Sequence, residues 1–355
     1  MMDFSNYHDE IRTLIPPIIA WYRENKKDLP WRTAPTPYHV WISEIMLQQT
    51  RIEAVLSYYT RFLAVFPSVQ ALAEADDEVL MKLWQGLGYY SRARNLKKAA
   101  EIIMEQYGGE LPSSAALLRK LPGIGDYTAG AIASIAFGQS EPAVDGNVLR
   151  VISRMLASYE DIMLLKTKKD VTALLRANYP EGEEAALLTE GLMELGETVC
   201  IPNGAPKCDR CPVKLLCLAR KSGIEEDLPI RNVRKDKRTE DKTVLLLRSE
   251  NGRYAIRKRE KNGLLADMWE FVNLDGFAAE GDVESYLIEQ GIRMLSITPL
   301  VDSKHIFTHV VWQMKGYQVV VAEESDAFLW KTRDEILSSY AVPTAFRTYV
   351  KLMKE

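Results

Sequence analysis

The amino-acid sequence predicts a multidomain protein in which an all-α region precedes a smaller α+β domain. Up to the 190s, apolar residues recur at the three- and four-residue spacing of amphipathic helices. After a charged stretch at 225–240 (EEDLPIRNVRKDKRTE), short β-rich runs separated by turn signals replace that pattern. The 355 residues are enough to bury the cores of two or three domains.

The composition is that of a globular protein without a membrane segment. No apolar run reaches the roughly 18 residues of a membrane helix. The first residues, MMDFSNYHDEIR, do not resemble a signal peptide. We therefore expect a cytoplasmic location and no membrane contact. The formal net charge of −4 argues mildly against nucleic-acid binding, although an average charge can hide a local basic stripe.

The N-terminal region begins with an amphipathic helix, predicted over residues 3–27, that ends in a basic patch. A loop broken by Pro30 follows and carries Trp31. A tryptophan in such a loop either anchors the packing of the chain or forms the wall of a pocket for a flat base. The sequence leaves both interpretations open.

A single helix is predicted from Trp41 to Tyr59 (WISEIMLQQTRIEAVLSYY). At about 100° per residue, one side of this helix is apolar, and Leu47 lies nearly opposite, near Glu44 and Gln48. An exposed leucine is ordinary, but beside glutamines and an acid it could act as a wedge in a base stack. Glu44, at the edge of the apolar side, is either a solvated acid or one whose pKa is raised by partial burial.

Residues 62–110 are predicted to be helical with a break at Gly86–Tyr90 (GLGYY). A basic helix start, SRARNLKK (91–98), follows the two tyrosines directly. Basic groups interleaved with aromatic rings are typical of surfaces that hold phosphates and stack bases. The alternative is a solvated helix against which the tyrosines pack.

The stretch 119–150 holds the densest set of signals. One helix is predicted to end at Leu121, Pro122–Gly125 (PGIG) forms a tight turn, and a second helix starts near Tyr127. The free backbone N–H groups at Gly125 suit a phosphate oxygen. Asp145 follows just before another helix, where an aspartate alone could be an ordinary N-cap.

The four cysteines lie in one short stretch. Cys200, Cys208, Cys211 and Cys217 have the spacing C-x7-C-x2-C-x5-C. Lone cysteines bunched in a cytosolic chain indicate a metal site rather than disulfides. Because a structural zinc site usually has two close pairs, the uneven gaps favour a [4Fe–4S] cluster, with zinc as the alternative.

The C-terminal region is predicted to be α+β. A strand, a turn and a second strand are expected at 243–248, Asn251-Gly252 and 253–258. Further strand-like runs occupy 263–272, 295–300, 305–312 and 318–322, and helices are predicted at 283–291, 332–339 and 343–353.

These motifs together resemble those of DNA repair enzymes. The turn and Asp145 resemble the helix-hairpin-helix motif and catalytic aspartate of the DNA glycosylase superfamily that includes endonuclease III. Across essentially the whole chain, the combined motifs are similar to the MutY-type adenine DNA glycosylases. The motifs are SEIMLQQT (43–50), GLGYYSRARNL (86–96), LPGIGDYTAGAIAS (121–134), PAVDGNVLR (142–150) and the cysteines.

The resemblance implies a domain organisation. Residues 1–225 would form an all-α helix-hairpin-helix glycosylase domain, with a six-helix barrel at about 30–137. The N-terminal helix and residues 138–225 would form an iron–sulfur subdomain that holds a [4Fe–4S] cluster. A linker at 226–240 would lead to an α+β, Nudix-like 8-oxoguanine recognition domain at 241–355.

The resemblance also implies an activity. The chain would be a monofunctional, monomeric adenine DNA glycosylase, nucleoid-associated in a bacterium, that acts on adenine mispaired with 8-oxoguanine or G in duplex DNA. Glu44 would be the general acid that protonates the departing adenine. Asp145, supported by Asn147, would stabilise or capture the oxocarbenium-like sugar. In relatives with β-lyase activity a lysine nucleophile occupies the place of Tyr127, which cannot form a Schiff base and would instead hydrogen-bond in the site.

Further residues are implied to contact DNA or the flipped base. Trp31, Arg32, Gln49 and Glu190 would line or support the adenine pocket, and Leu47, Gln48 and Tyr89 would fill and wedge the base stack. Phe307, Thr308 and His309 resemble the loop that reads 8-oxoguanine. Thr50, Arg92, Gly123 and Gly125 complete the set of DNA contacts, with a cation at the hairpin turn.

Three features depart from the family pattern. The first cysteine gap has seven residues where the family usually has six, and Thr308 stands where the family usually has serine. Around 283–292 (VESYLIEQGI) the chain lacks the acid cluster that would hold magnesium, so we expect a reader domain without pyrophosphatase activity. The rival hypotheses are a base-excision glycosylase for another base, a non-catalytic lesion-binding protein, and a Nudix-type nucleotide hydrolase on an iron–sulfur scaffold.

Overall fold

The computed structural model describes residues 2–33, 35–232 and 237–354. The chain forms two compact units. One comprises residues 1–74 and 95–234, and the other comprises residues 75–94 and 235–355. The boundaries expected at 225 and 241 remain a prediction, and residues 233–236 of the expected linker lie outside the described residues.

The helices of the chain follow one another with short connections in its first two thirds. None of those in the described residues is both long and apolar enough to cross a membrane. In chain order they are α1 (His8–Asn25), α2 (Pro30–Thr33), α3 (Pro37–Leu47), α4 (Ile52–Val65), α5 (Val69–Ala73), α6 (Asp77–Trp84), α7 (Ser91–Tyr107), α8 (Ala115–Leu118), α9 (Asp126–Phe137), α10 (Gly146–Met155), α11 (Leu165–Arg176), α12 (Glu183–Thr198), α13 (Leu218–Ser222), α14 (Glu280–Glu289), α15 (Arg333–Ser339) and α16 (Arg347–Val350).

The helical unit has a core built largely by α1, α10, α11 and α12. The apolar stripe of α1 includes Ile11, Ile18 and Tyr22, all buried as its helical spacing predicts. These side chains pack with the buried faces of α10 and α12, which include Val151 and Leu188. The core therefore fixes α10 and α12, the helices that carry several predicted site residues.

The single helix predicted from Trp41 to Tyr59 is wrong. The structure has α3 and α4 instead, separated by a turn at 48–51. Gln49 has a φ of 57°, a left-handed conformation that no helix interior accepts. Since the turn contains neither glycine nor proline, the sequence carries no strong signal for it.

The second unit contains a mixed six-stranded sheet in the described residues, with the order β4-β5-β1-β3-β2-β6. β1 and β5 run parallel, and Val244 of β1 lies opposite Gly316 of β5. The other pairs are antiparallel. The strands are β1 (Arg238–Ser249), β2 (Tyr254–Lys258), β3 (Trp269–Asp275), β4 (Met294–Ile306), β5 (Val310–Val321) and β6 (Leu329–Lys331).

Each face of the sheet has its own apolar core, because successive side chains of a strand point to opposite faces. One core includes Phe271 and Trp312 and packs against the C-terminal residues around Phe346. The other includes Val272 and packs against Leu287 of α14. The strand predicted at 305–312 is wrong as a single element, because residues 307–309 form the turn between β4 and β5.

Candidate active site

A cavity of about 500 Å³ opens in the helical unit and collects most of the predicted catalytic residues. Its walls come from α2, α3, α9, α10, α12 and the turn between α3 and α4. Predicted residues on these walls are Trp31, Arg32, Glu44, Leu47, Gln49, Thr50, Tyr127, Asp145, Asn147 and Glu190. Leu29, Met193, Glu194 and Glu197 also line it.

Glu44 is a buried acid. It lies on α3, whose first turn is capped by Thr36 and whose residues from Val40 to Met46 are all buried, so the side chain is only 6% exposed. Its Oε2 atom has no hydrogen-bond partner among the described residues. Burial, reinforced by the charges of Glu190 and Asp145 and opposed by Tyr127 and Arg32, raises the pKa of Glu44 to about 7. The solvated-acid interpretation of Glu44 is therefore wrong.

Asp145 is the N-cap of α10, and its carboxylate is held on both oxygens. Oδ1 accepts a hydrogen bond from the Val148 N–H (2.8 Å), and Oδ2 accepts one from Nδ2 of Asn147 (2.9 Å). The ordinary capping role and a place on the cavity wall are thus combined in one residue. The N-terminus of a helix favours a negative charge at this position.

A chain of hydrogen bonds leads from Asp145 to the cysteine stretch. Nη2 of Arg150 donates to Oδ1 of Asn147 (2.9 Å) and to the carbonyl of Gly196 (2.8 Å), while its Nε donates to the carbonyl of Cys200 (2.8 Å). A Cβ atom on Gly196 would lie 2.9 Å from Cβ of Asn147. The absence of a side chain at Gly196 therefore lets α12 approach α10 closely enough for this chain to form.

Three acids of α12 line another part of the cavity and form ion pairs with two cations. Arg32 forms ion pairs with Glu190 (3.3 Å) and Glu194 (2.9 Å), and Lys27 forms them with Glu194 (3.3 Å) and Glu197 (3.1 Å). Burial raises the pKa of Glu190. Sequence reasoning missed Glu194 and Glu197. Their spacing of four and seven residues from Glu190 places all three acids on one side of a helix, and this was the available signal.

Of the remaining predicted residues of the helical unit, Tyr127 lines this cavity, whereas Gln48, Gly123 and Gly125 do not. The Tyr127 hydroxyl faces Sδ of Met193 (3.5 Å), and burial raises the pKa of Tyr127 well above its ordinary value. Gln48 turns away from the cavity walls, and its Nε2 donates to Oγ1 of Thr128 (3.0 Å). In the hairpin turn, Gly123 has a φ of 80° and Gly125 is the N-cap of α9 without a side-chain cap.

A second cavity of about 500 Å³ lies within the sheet-containing unit. Tyr89, Phe307, Thr308 and His309 line it, and the Tyr89 hydroxyl forms a short hydrogen bond with Oγ1 of Thr308. The ring of Phe307 packs edge-on against Trp312, with centroids 4.9 Å apart. The three predicted reader residues are therefore brought together with Tyr89, which was predicted to fill and wedge the base stack.

Arg92 does not line the second cavity. Its side chain is only 7% exposed, and Nη2 donates to the carbonyls of Leu87 and Gly88 (3.1 Å each). The guanidinium thus supports the loop before it. A contact of Arg92 with DNA stays a prediction.

The four cysteines line one small apolar cavity of about 20 Å³, and none forms a disulfide. Nη1 of the buried Arg154 lies 3.3 Å from Sγ of Cys200, and Sγ of Cys217 lies 3.4 Å from the Arg154 carbonyl. No group of three or more His, Cys, Asp or Glu side chains in the described part of the chain has the geometry to hold a single metal ion.

Comparison with known proteins agrees with both units. Residues 42–181 match the family model described as HhH-GPD superfamily base excision DNA repair protein, and residues 243–352 match the NUDIX domain model. A solved thermostable thymine-DNA glycosylase is similar over 60% of this chain and 98% of its own, with 27% identity and a TM-score of 0.55. A trapped endonuclease III–DNA covalent intermediate is similar over 61% and 98%, with 25% identity and a TM-score of 0.52.

Relatives with a known activity cover most of the chain. The adenine DNA glycosylase of Homo sapiens is 31% identical over 418 residues, which span 97% of this chain and 76% of that protein. The adenine DNA glycosylase of Buchnera aphidicola subsp. Baizongia pistaciae is 32% identical over 313 residues, which span 86% of this chain and 85% of that protein. With this coverage and the two matched domains, the chain belongs to the MutY-type adenine DNA glycosylase family of the HhH-GPD superfamily.

Proposed function

We propose that this protein is a DNA N-glycosylase that removes adenine mispaired with 8-oxoguanine or G in duplex DNA and so initiates base excision repair. One observation carries the proposal. Glu44, a buried acid whose pKa is about 7, lines the same cavity as Asp145, whose carboxylate caps helix α10. Paired carboxylates in different environments are what cleavage of a glycosidic bond requires.

The proposed reaction uses the two carboxyl groups in turn. With an adenine flipped into the cavity, Glu44 gives its proton to a ring nitrogen of the base while the C1′–N bond breaks and its electron pair leaves with the adenine. Asp145, held by Asn147, then stabilises the positive charge at C1′ or bonds to it. Water adds to C1′, and its proton returns to Glu44. The volume of about 500 Å³ lies within the usual range of about 300–1,000 Å³ for ligand pockets.

The cavity supports a monofunctional enzyme. None of the described residues that line it is a lysine, and Tyr127 occupies the position after the hairpin turn. A tyrosine hydroxyl cannot form the Schiff base on which β-elimination depends. We expect no strand cleavage by the enzyme and no covalent DNA adduct after borohydride reduction. Formation of such an adduct would contradict the monofunctional assignment.

The second cavity supports recognition of the base opposite adenine. In our proposal, Phe307, Thr308 and His309 read 8-oxoguanine from the turn between β4 and β5, and Tyr89 completes the site through its bond to Thr308. An aromatic ring, a hydroxyl and an imidazole together offer stacking and hydrogen bonding to a modified base. In the helical unit, the backbone N–H groups at Gly125, with a bound cation, would hold a phosphate.

The cysteine cavity is the proposed site of an iron–sulfur cluster. We propose that Cys200, Cys208, Cys211 and Cys217 hold a [4Fe–4S] cluster, because none of the four thiols forms a disulfide, all four line one cavity, and their uneven spacing is typical of such a cluster. When bound, the cluster supplies iron–thiolate bonds that cross-link the end of α12 to the loop that follows. Iron and sulfide analysis, with the visible absorbance of the purified protein, tests this assignment.

The decisive experiment is single-turnover base release from matched duplexes with adenine opposite 8-oxoguanine, G or T. We expect rapid release opposite 8-oxoguanine, slower release opposite G and none opposite T. Equal rates opposite 8-oxoguanine and G would contradict the role given to Phe307, Thr308 and His309. Tight binding without release from any duplex would favour a lesion-binding protein and would contradict the roles of Glu44 and Asp145.

A further inference from the structure

The sheet-containing unit includes a segment from far earlier in the chain. Residues 75–94, with helix α6, belong to the same compact unit as residues 235–355. Three polar side chains of this segment, Glu78, Lys82 and Gln85, recur at four- and three-residue spacing and therefore lie on one side of the helix and its end. Each of them bonds to the C-terminal part of the unit.

The contacts are direct and specific. The Glu78 carboxylate accepts from Nζ of Lys258 (2.5 Å) and from Nε1 of Trp269 (2.8 Å). Nζ of Lys82 donates to the carbonyls of Leu337 (2.6 Å) and Tyr340 (3.1 Å) at the C-terminal end of α15. A lysine at this position satisfies terminal carbonyls and complements the helix dipole.

Gln85 makes the contact closest to the second cavity. Its Nε2 donates to the carbonyl of Val342 (2.6 Å), and the next residue, Pro343, lines that cavity. At the other end of the segment, Nη1 of Arg94 donates to the carbonyl of Ala266 (2.7 Å), which also lines the cavity. The loop that carries Tyr89 is therefore attached on both sides to the cavity wall.

The loop that carries Tyr89 is held in one conformation by hydrogen bonds, so it should move with helix α6 as a unit. Gly88 and Tyr89 have φ values of 72° and 47°, so the backbone follows an unusual path. Nε1 of Trp84 donates to the Gly88 carbonyl (3.1 Å), and Arg92 donates to the same carbonyl. Hydrogen bonds from Trp84, which precedes the loop, and from Arg92, which follows it, hold the Gly88 carbonyl in place. A shift of α6 would therefore move Tyr89 away from Thr308.

We propose that Glu78, Lys82 and Gln85 are positioning residues that determine how strongly the enzyme prefers 8-oxoguanine over G opposite adenine. They act through Tyr89, whose hydroxyl meets Thr308 in the second cavity. The inference rests on the proposed function, since it specifies residues that control the selectivity of the same reaction. Removing the contact made by any one of these three residues loosens one wall of the second cavity and does not change Glu44 or Asp145.

The test compares single-turnover base release by the full-length protein from duplexes with adenine opposite 8-oxoguanine and opposite G. Gln85→Met keeps side-chain length, Lys82→Met shortens the side chain by one atom, and both remove the donors. We expect each to lower the ratio of the two rates by about tenfold, with the rate opposite G within about twofold of wild type. Lys82→Arg, which keeps donors, should restore most of the ratio. Lys351→Met is the matched control, because Lys351 is exposed in the same unit.

A double-mutant comparison separates positioning from general stabilisation. If Lys82 and Gln85 act through Tyr89, their substitutions will change the ratio little in a Tyr89→Ala background, whereas independent effects would add. Thermal unfolding of each variant shows whether it is folded. If Lys82→Met does not fold, Gln85→Met provides the test. An unchanged rate ratio in the folded variants of an active wild type would overturn this inference alone. Failure of the wild type to release adenine from either duplex would instead overturn the proposed function.

Discussion

Glu44 lies where its ionised form is poorly solvated, and this burial raises the pKa of its carboxyl group to about 7. The proposed chemistry needs the protonated acid, so the single-turnover rate of base release should fall as pH rises through about 7. Glu44→Gln should lower the rate by about 10²- to 10⁴-fold and leave DNA binding intact. A pH series of single-turnover rates, with binding measured in parallel, checks both. A rate that increases through this range would contradict the role of Glu44 as the acid.

The same burial should make the native state less stable at high pH. The pKa of Glu44 is above its ordinary value of 4.5, so between 4.5 and about 7 the native state binds more protons than the unfolded state, and stability decreases as pH rises. Glu44→Gln removes the free-energy cost of burying an ionised carboxylate. We expect it to raise the free energy of unfolding by up to roughly 3 kcal/mol at alkaline pH and to give no such gain at acid pH.

Urea unfolding at the two pH values measures this effect. Glu53→Gln is the control, because Glu53 is an exposed acid of the neighbouring helix α4. A gain that is independent of pH, or one that is equal in both variants, would show that the buried charge is not its source.

Gly196 is the residue at which the hydrogen bonds that lead from Asp145 can be disturbed without substituting a predicted catalytic residue. Gly196→Ala places a methyl group against Asn147 and should displace it from Asp145. We expect slower base release and a loss of about 1–3 kcal/mol of stability from overpacking. Gly281→Ala, which meets nothing within 4 Å, is the control. Normal activity in Gly196→Ala would mean that Asn147 is not needed to hold Asp145.

At the residue scale, the sequence predicted which groups would meet but not their environments. The motifs placed Glu44, Tyr127 and Asp145 in one site, and the structure brings them to one cavity. The near-complete burial of Glu44 was not predicted, because helical periodicity places a residue on one helix without showing what covers its polar side. Glu194 was missed for the same reason, since its ion pairs with Arg32 and Lys27 depend on long-range packing.

At the scale of helices, α9 and α12 both contribute to the cavity wall and are joined by buried hydroxyl groups. Oγ1 of Thr189 bonds to the Tyr179 hydroxyl and to Oγ of Ser134, each at 2.7 Å. Thr189→Val keeps the shape and removes these bonds, so we expect a loss of about 1–3 kcal/mol in the free energy of unfolding.

Base release should also slow in Thr189→Val, because Glu190 and Tyr127 lie on the two joined helices. Thr172→Val is a close control, since that hydroxyl bonds only to the Lys168 carbonyl of its own helix in the described structure. Urea unfolding and single-turnover kinetics measure the two effects. Equal losses in the two variants would show that the contact between helices contributes nothing special.

Glycine and proline predicted some element boundaries correctly but not all of them. The turn at Pro122–Gly125 and the break at Gly86–Tyr90 were both predicted and are both present. The turn at 48–51 and the turn at 307–309 were missed. The strand predicted at 263–272 is wrong in its first half, because the turn that contains Gly263 comes first and β3 begins at Trp269. Tertiary contacts stabilise such turns, and a local sequence pattern contains no record of those contacts.

On the scale of the whole molecule, all four cysteines belong to the helical unit. Cys200 and Cys211 contact the core of α1, α10, α11 and α12, and Cys217 forms a small apolar cluster with Ala219 and Leu228. Cys211→Ser should therefore abolish the visible absorbance and lower the unfolding temperature of the helical unit, with little change in that of the sheet. Calorimetry with circular dichroism resolves the two transitions. An equal decrease in the unfolding temperatures of the helical unit and the sheet-containing unit would contradict independent unfolding of the two.

The second cavity is lined by two segments that are far apart in the sequence. This limits how the domains of relatives can be exchanged. Exchange of the C-terminal domain alone between relatives would separate Thr308 from the Tyr89 of its own chain, and Val342 from its own Gln85. Under the proposed function, the residues that recognise the lesion come from two separate segments of the chain. Chimaeras that transfer residues 75–94 together with the C-terminal domain should carry over lesion preference, whereas conventional domain fusions should not.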